Sequence, residues 1–288
     1  ENCVKEMAGQ DVKGKLKTAG VYKIVSIKVK EKENKNKIAV LYAEGEIRDE
    51  DSSSPFSADE QVISEEMANK LRKLKDDDDV KAVVFRVNSP GGSAYISEQI
   101  WKEVVELKAK KPIVVSMGNY AASGGYYISC AANKIVAERT TLTGSIGVFG
   151  VVRNFTGTFD KVGVTTDIVK TNTFADLGDI SRPMREDEKA LIQRGVEQTY
   201  DLFLTRCADG RGMTKAEIDS IGQGRVWTGE QALERGLVDQ LGGMDDAIKE
   251  AATLAELTDY SVIVADSPKD FFTKFMEKQM DEVKVSIA

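Results

Sequence analysis

Apolar residues follow two alternating patterns along most of this chain, one typical of buried strands and one typical of amphipathic helices. Short apolar runs predict strands at 38–42, 83–87, 113–116, 134–137 and 260–264. Apolar residues spaced three or four apart predict helices, most clearly at 93–108 and 186–207. A further set at helical spacing consists of Ile63, Met67, Leu71 and Leu74. Strands that alternate with helices in this way indicate an α/β fold.

The two ends of the chain lack this alternation. Residues 1–37 are rich in Lys and Glu, and we interpret them as a linker or as the tail of an upstream repeat. The chain begins with Glu1 and has no visible signal peptide, which fits a trimmed product and leaves the anchoring of the intact protein open. No apolar stretch approaches the roughly 20 residues that span a bilayer. Residues 251–288 are predicted to be a C-terminal extension with one strand and an amphipathic helix at 269–279.

Composition narrows the chemistry that this chain can perform. Its 288 residues include 40 basic and 47 acidic side chains, a net charge of −7. This balance leaves no basic surplus to neutralise phosphates, so sequence-independent binding of nucleic acid is not expected. There is no histidine, which excludes Ser-His-Asp and Cys-His catalysis within the chain and every His-ligated metal site. A general base must therefore be Lys, Asp, Glu, Tyr or a group from another chain.

The cysteines carry no recognisable site. Cys3, Cys130 and Cys207 are an odd set without CxxC spacing, which matches neither a disulfide framework nor a structural zinc site. Cys130 lies in an apolar run and is predicted to be a buried thiol. We predict no metal and no cofactor.

Two Gly-Gly turns follow successive predicted strands, and each has serines beside it. The first, at 88–93, has the sequence NSPGGS. Its glycines expose backbone N–H groups at a helix start, where the helix dipole adds positive potential, and this suits an oxyanion. A tight strand–helix turn without a ligand explains the same residues equally well. No Gly-Lys-Ser/Thr follows, so the turn is not a phosphate-binding P-loop.

The second turn, at 121–127, has the sequence AASGGYY and holds Ser123 among small residues. Small neighbours let a substrate backbone approach the hydroxyl closely, as a nucleophile requires. The turn is not the Gly-x-Ser-x-Gly elbow, because Ala121 stands in place of the first glycine. Close packing of a helix on the sheet is the alternative explanation for these small residues.

Four motifs occur along the chain in a fixed order. They are SPGGS at 89–93, ASGGYY at 122–127, TGSIGV at 143–148, and GRVWTG at 224–229, followed by GLVD at 236–239 and LGG at 241–243. Jointly they resemble the signal peptide peptidase A family of serine peptidases, which share the ClpP/crotonase fold. The resemblance covers residues 38–250, the predicted peptidase domain, and implies a repeated β-β-α superhelix with additional C-terminal helices.

The resemblance implies a role for each matching position. Ser123 would be the nucleophile that forms an acyl-enzyme, and backbone N–H groups of Gly91 and Gly92 would form the oxyanion hole. Ser145 would orient the catalytic base. In this family the base is a lysine, in agreement with the absence of histidine. Such a lysine must be neutral to accept a proton, so burial has to lower its pKa from about 10.4.

The chain departs from the family pattern at this base. Single-repeat members carry the lysine in a segment resembling Lys-Ser-Gly-x-Tyr/His-Lys-Asp, and the corresponding stretch here is KTNTFAD at 170–176. Ala175 stands at the position of the lysine. If the segment is extended, Lys170 lies roughly 16 Å away and on the opposite face, and Asp176 also points away. We therefore expect the base to come from outside this chain.

Long members of the family contain two tandem repeats, of which the first supplies the lysine and the second the serine. A retained serine, a missing lysine and a linker-like start fit the second repeat of such a protein. The resemblance further implies that cleaved signal peptides and similar hydrophobic peptides are degraded. It also implies a ring-like homo-oligomer that completes each dyad across subunits. An N-terminal membrane anchor would place the catalytic part on the extracytoplasmic (periplasmic) side of a bacterial inner membrane.

Two other functions stay open on the sequence alone. The same fold can serve as a catalytically inactive scaffold or binding module, in which Ser123 is a packing residue and Ala175 reflects the loss of the base. It can also serve as an acyl-CoA enzyme of the crotonase type, which uses a similar oxyanion turn. A nucleophilic serine beside Gly-Gly would be superfluous in that enzyme.

Overall fold

The computed structural model of the chain describes residues 34–49 and 62–265. Its strands are β1 (Lys37–Glu44), β2 (Glu46–Ile47), β3 (Val62–Ile63), β4 (Val80–Ser89), β5 (Ile113–Ala122), β6 (Lys134–Ala137), β7 (Leu142–Gly144), β8 (Val226–Thr228), β9 (Gln240–Leu241) and β10 (Ser261–Val264). Its helices are α1 (Glu66–Asp76), α2 (Ala94–Lys108), α3 (Gly124–Tyr127), α4 (Thr156–Val162), α5 (Glu186–Arg211), α6 (Lys215–Ile221), α7 (Gly229–Glu234) and α8 (Met244–Leu254). The expected α/β class is confirmed.

Most strands belong to one eight-stranded sheet with the order β10-β1-β4-β5-β6-β9. Neighbours along this path run parallel. β7 pairs parallel with the end of β5 and antiparallel with β8, while β2 and β3 form a separate parallel pair. Because parallel strands place their carboxyl ends at one edge, the segments that follow β4, β5 and β7 meet at that edge.

Strand β1 shows how the sequence places a core on both faces of the sheet. Ala39, Leu41 and Ala43 belong to one buried cluster, whereas Ile38 and Val40 belong to the other, as the two-residue period of a strand requires. The first cluster includes side chains of α1, α2 and α5, and the second includes side chains of α8. A parallel sheet covered on both faces explains why its strands are continuous apolar runs.

Polar capping residues fix the starts of several helices. The Ser93 hydroxyl accepts the Ile96 N–H at the start of α2, directly after the first Gly-Gly turn. Thr214 and Thr228 begin α6 and α7 with capping boxes, in which the residue three positions later bonds back to the threonine. These caps are local, so the sequence alone determines where the helices begin.

Some predicted boundaries differ from the structure. Ile63 lies in β3 rather than in a helix, because it pairs with Ile47 of β2, and α1 begins only at Glu66. Residue 250, where the predicted peptidase domain ends, lies inside α8, and β10 of the predicted C-terminal extension pairs with β1. The predicted helix at 269–279 and nearly all of the predicted linker lie outside the described residues. Among the described residues, none of the helices combines the length and the apolar character that a membrane span requires.

Candidate active site

The first Gly-Gly turn connects β4 to α2 at the carboxyl edge of the sheet. Gly91 and Gly92 have φ angles of +105° and +146°, in the region that favours glycine. A Cβ atom on Gly92 would lie 2.1 Å from the Ile47 carbonyl oxygen, and one on Gly91 would lie 2.8 Å from the Ser123 Cβ. The absence of side chains therefore lets this turn lie between β2 and the second Gly-Gly turn.

Ser123 lies between β5 and the short helix α3. Its φ of +53° and ψ of −119° are rare for a residue with a side chain. The Ser123 N–H donates to the Gly144 carbonyl at 2.9 Å, and the Thr143 hydroxyl donates to the Ala121 carbonyl at 2.7 Å. These bonds to β7 hold the turn in its strained conformation. Strain of this kind persists only where the surrounding structure imposes it, and it concentrates at functional sites.

The two Gly-Gly turns bring backbone N–H groups together beside Ser123. The Gly91 N–H donates to the Ser89 hydroxyl at 3.1 Å and so is not free to bind an oxyanion. Among the described residues, the Gly92 and Gly124 N–H groups have no hydrogen-bond partner. A Cβ atom on Gly124 would lie 3.2 Å from the Gly92 nitrogen. The free donors are thus Gly92 and Gly124, whereas the sequence indicated Gly91 and Gly92.

Ile47 holds the first turn in this arrangement. Its N–H donates to the Gly91 carbonyl at 2.9 Å, and its carbonyl accepts the Ser93 N–H at 2.7 Å. This parallel bridge leaves Gly92 between two bonded neighbours. The Gly92 N–H is therefore directed away from β2.

Ser145 lies in the loop after β7 and reaches the same cleft as Ser123. Its φ of +50° is again unusual for a residue with a side chain. The Ser145 N–H donates to the Arg225 carbonyl at 2.7 Å. The structure thus brings together all four residues that the sequence singled out: Gly91, Gly92, Ser123 and Ser145.

A cleft of about 900 Å³ opens beside Ser123. The two Gly-Gly turns form one side, and α5 forms the other with Val196, Tyr200 and Phe203, which are spaced to share one helix face. The Phe203 ring packs on Tyr127 with 4.7 Å between ring centroids. Burial raises the pKa of Tyr127, so its hydroxyl stays protonated at neutral pH. This wall suits large apolar side chains. The sequence predicts this helix, but nothing in its pattern places it beside Ser123.

No lysine lines this cleft in the part of the chain that the structure describes. The charged side chains that line it are those of Glu46 and Glu197. Carboxylates are weak proton acceptors for a serine hydroxyl. Lys170 is not among the lining residues, and its ammonium group donates to the Asp176 carboxylate at 2.9 Å. The structure supplies the nucleophile and the donors without a neutral amine.

The segment around Ala175 is a series of turns, so the condition that 170–176 is extended, on which the placement of Lys170 and Asp176 rested, is not met. A cluster of charges explains this. The Arg182 guanidinium donates to the Asp176 carboxylate at 2.8 and 3.0 Å and to the Glu188 carboxylate at 2.6 and 2.8 Å. The hydrogen bonds from Lys170 and Arg182 hold the pKa of Asp176 well below its usual range. These contacts fold the segment back onto the start of α5.

Acid is expected to weaken this cluster. The hydrogen bonds from Arg182 lower the pKa of Glu188 from 4.5 to about 2. A carboxyl group with a lowered pKa stabilises the fold above its unfolded pKa, and the effect is lost as the pH falls from about 4.5 through about 2. We expect Glu188→Gln to lower the Tm at neutral pH, and this difference from the unchanged chain should shrink towards zero near pH 2. Thermal unfolding across this range measures it.

The matched control for this prediction is Glu186→Gln. Glu186 lies on the same helix, and its side chain is 87% exposed. Its replacement should leave both the Tm and its pH dependence nearly unchanged. If the Glu188→Gln variant had the same Tm as the unchanged chain at every pH, the Glu188 carboxylate would not stabilise the fold as argued.

The described residues contain no candidate metal site. They contain no group of three or more His, Cys, Asp or Glu side chains that could hold an ion. Cys130 and Cys207 are buried free thiols, so the prediction for Cys130 is confirmed. Burial raises the pKa of the Cys207 thiol, which leaves it protonated and unreactive.

Two protein-family models match this chain. The model of peptidase family S49 matches residues 105–258, more than half of the chain. The model of Clp protease matches residues 53–146, which include both Gly-Gly turns. The second match supports the ClpP-type fold that the motifs imply.

Several relatives of this chain are named as proteases or peptidases, and the chain covers different shares of their lengths. Protease 4 of Salmonella typhi is 45% identical over 76% of this chain and 35% of its own length. The chloroplastic serine protease SPPA of Arabidopsis thaliana is 37% identical over 77% of this chain and 33% of its own length. An SppA protein of Enterococcus faecium is 38% identical over 85% of this chain and 71% of its own length. The chain thus spans about a third of the first two.

Among solved structures, a ClpP1 variant from Listeria monocytogenes covers 73% of this chain and 94% of its own, with a TM-score of 0.47 and 15% identity. The S49 match is more informative, because it runs from within α2 to the segment before β10 and contains Ser123 and Ser145. The Enterococcus relative matches over most of both chains. The chain therefore belongs to peptidase family S49.

Proposed function

We propose that this chain is the serine-bearing part of a peptidase that hydrolyses peptide bonds through a Ser-Lys dyad. The observation that carries the proposal is the position of Ser123, on strained backbone beside the free N–H groups of Gly92 and Gly124. A hydroxyl next to two fixed donors can attack a carbonyl group whose oxygen those donors bind. Membership of family S49 supports the same chemistry.

In the proposed reaction, the Ser123 hydroxyl oxygen attacks the carbonyl carbon of the scissile peptide bond. Its proton passes to a neutral lysine, which Ser145 orients. The N–H groups of Gly92 and Gly124 stabilise the negative charge that develops on the carbonyl oxygen. The lysine then protonates the leaving amine, and water hydrolyses the acyl-enzyme by the same steps.

We infer that the substrates are cleaved signal peptides and similar hydrophobic peptides. The wall that α5 forms beside Ser123 supports this inference, because Val196 offers apolar surface to a substrate side chain and the buried Phe203 ring packs behind the wall. Tyr127 extends this surface behind Phe203. A peptide with large apolar side chains therefore loses more water-exposed apolar area in this cleft than a polar peptide does.

The lysine, in this proposal, belongs to an upstream repeat of the same protein. An exposed apolar segment next to the cleft supports a docked partner at this place. Phe149 is 88% exposed, Val151 is 79% exposed and Val152 is 46% exposed, and Phe149 also lines the cleft. Contiguous exposed apolar side chains commonly mark interaction surfaces. A repeat docked there, in the same subunit or in a homo-oligomer, would meet the cleft beside Ser123.

We further propose that the intact protein is held at a bacterial inner membrane, with its catalytic part on the extracytoplasmic side. An anchor outside the described residues would provide the attachment. This location follows from the resemblance to signal peptide peptidase A proteins. Relatives from Salmonella typhi and Enterococcus faecium support a bacterial setting.

A fluorophosphonate probe tests the proposed function on the full-length protein. We expect the probe to label Ser123, because attack on phosphorus needs the same activated hydroxyl and the same oxyanion donors as attack on a peptide. Peptide mapping by mass spectrometry locates the label.

Two variants complete the labelling experiment. Ser123→Ala should remove the label, and Ser261→Ala, at a serine in β10 away from the cleft, should not. A full-length protein without label at Ser123 would favour the inactive scaffold. If a different serine carried the label, that serine would be the nucleophile in place of Ser123.

A further inference from the structure

Ser145 depends on a neighbouring loop for its position. Its N–H donates to the Arg225 carbonyl at 2.7 Å, and the Gly224 N–H donates to the Ile146 carbonyl at 2.8 Å. Residues 222–225, the brace loop, thus bind the Ser145 N–H and the carbonyl of the next residue. Because Ser145 has a φ of +50°, its conformation needs such support from outside.

The brace loop passes its own position directly to the Ser145 loop. Gln223 and Gly224 have φ angles of +56° and +76°, so the loop also contains unusual backbone. A Cβ atom on Gly147 would lie 2.7 Å from the Gly224 Cα. The two loops are thus in close backbone contact at this point. A shift of the brace loop would therefore reach the backbone beside Ser145.

Tyr200 of α5 contacts the brace loop through its hydroxyl. This oxygen accepts the Gln223 N–H at 3.0 Å and donates to the Asp219 carboxylate at 2.6 Å. Burial and the bond to Asp219 raise the pKa of Tyr200, so the hydroxyl remains a donor at neutral pH. By contrast, among the described residues the Arg225 side chain hydrogen-bonds only to Ser220, Gly222 and Gln223.

Tyr200 also belongs to the apolar wall of the cleft. It lies on α5 between Val196 and Phe203, which line the same cleft. One side chain thus reaches from the surface that faces the substrate to the loop that holds Ser145. Among the described residues, Tyr200 is the only residue of α5 with a hydrogen bond to the brace loop.

We propose that Tyr200 is a positioning residue that links the apolar wall of the cleft to Ser145 through the brace loop. This inference rests on the proposed function, in which Ser145 orients the base. Loss of the Tyr200 hydroxyl should loosen the brace loop without removing any group that touches the reacting atoms. It should therefore lower kcat and leave KM nearly unchanged.

Hydrogen exchange on this chain tests the link without any enzyme activity. In Tyr200→Phe, the amides of Ser145 and Gly224 should exchange about 5- to 10-fold faster, since one hydrogen bond that supports the local structure is lost. The control is Thr205→Val, which removes a hydroxyl that donates to the Asp201 carbonyl within α5. Its exchange at Ser145 and Gly224 should not change. Unchanged exchange in Tyr200→Phe would overturn the link.

Kinetics of the full-length protein test the consequence for Ser145. Tyr200→Phe should lower the Ser123-dependent kcat about 10-fold, with KM changed less than about 2-fold. In a Ser145→Ala background, the same change should lower kcat or the rate of fluorophosphonate labelling by less than about 2-fold, because the group that Tyr200 positions is gone.

The outcomes separate this inference from the proposed function. An equal loss of rate in both backgrounds would overturn the positioning role, because Tyr200 would then act independently of Ser145. A protein without Ser123-dependent turnover or labelling would defeat the proposed function. In that case hydrogen exchange still decides whether Tyr200 holds the Ser145 loop.

Discussion

Replacing Ser123 by alanine is expected to lower the kcat of the full-length protein at least about 10³-fold. The hydroxyl is the only group removed, and without it no acyl-enzyme forms. The donors of Gly92 and Gly124 remain, so a small residual rate above the uncatalysed reaction is consistent with the mechanism. Hydrolysis of a hydrophobic peptide with a fluorescent reporter measures the loss.

The fold should survive this substitution. Alanine keeps the Cβ atom and therefore the same strain at a φ of +53°. The free energy of unfolding should change by no more than about 1 kcal/mol. Ser261→Ala, the matched control outside the cleft, should retain full activity. Retained turnover in Ser123→Ala would remove Ser123 from the mechanism.

Much of the fold follows from local patterns in the sequence. The buried strands are apolar runs because both faces of the sheet are covered, and Thr214 and Thr228 mark helix starts through contacts within four residues. The spacing of apolar residues gave a wrong prediction at Ile63. This residue has helical spacing to Met67 but pairs with Ile47 as a strand. That pairing joins residues far apart in the chain, and no local periodicity contains it.

Part of the candidate site could also be predicted from local patterns in the sequence. Glycine-rich turns beside serines are visible in the sequence, and the structure brings Gly92, Ser123 and Ser145 to one cleft. Which N–H groups are free was not visible, because the Ser89 hydroxyl occupies the Gly91 N–H and leaves Gly124 as the second donor. The position of Gly124 directly after the serine was the available signal, since that residue often supplies such a donor.

The cleft wall could not have been derived from the motifs. Val196, Tyr200 and Phe203 have the spacing of any amphipathic helix, and only the tertiary fold sets them opposite Ser123. The turns around Ala175 likewise depend on charges contributed by Arg182 and Glu188. Side-chain networks of this kind are set by three-dimensional proximity and leave no periodic trace in the sequence.

The second large expected effect is a loss of hydrolysis rate when the catalytic base is missing. This chain alone is expected to hydrolyse peptides about 10²- to 10⁴-fold more slowly than the same chain joined to the proposed lysine-bearing repeat, which is the usual contribution of a general base. Lys170 is not expected to replace the amine, because it does not line the cleft and its ammonium group is paired with Asp176. Glu46 and Glu197 line the cleft but are poor acceptors for a serine proton.

The most direct measurement is the Ser123-dependent rate of peptide hydrolysis in three samples: the chain alone, the chain mixed with the upstream repeat, and the two joined in one polypeptide. The Ser123→Ala form of each sample gives the background. The expected result is negligible turnover by the chain alone and high turnover by the joined protein, lost when the lysine equivalent to Ala175 is replaced by methionine. Substantial Ser123-dependent turnover by the chain alone, abolished by Lys170→Met, would contradict the claim that the base comes from outside.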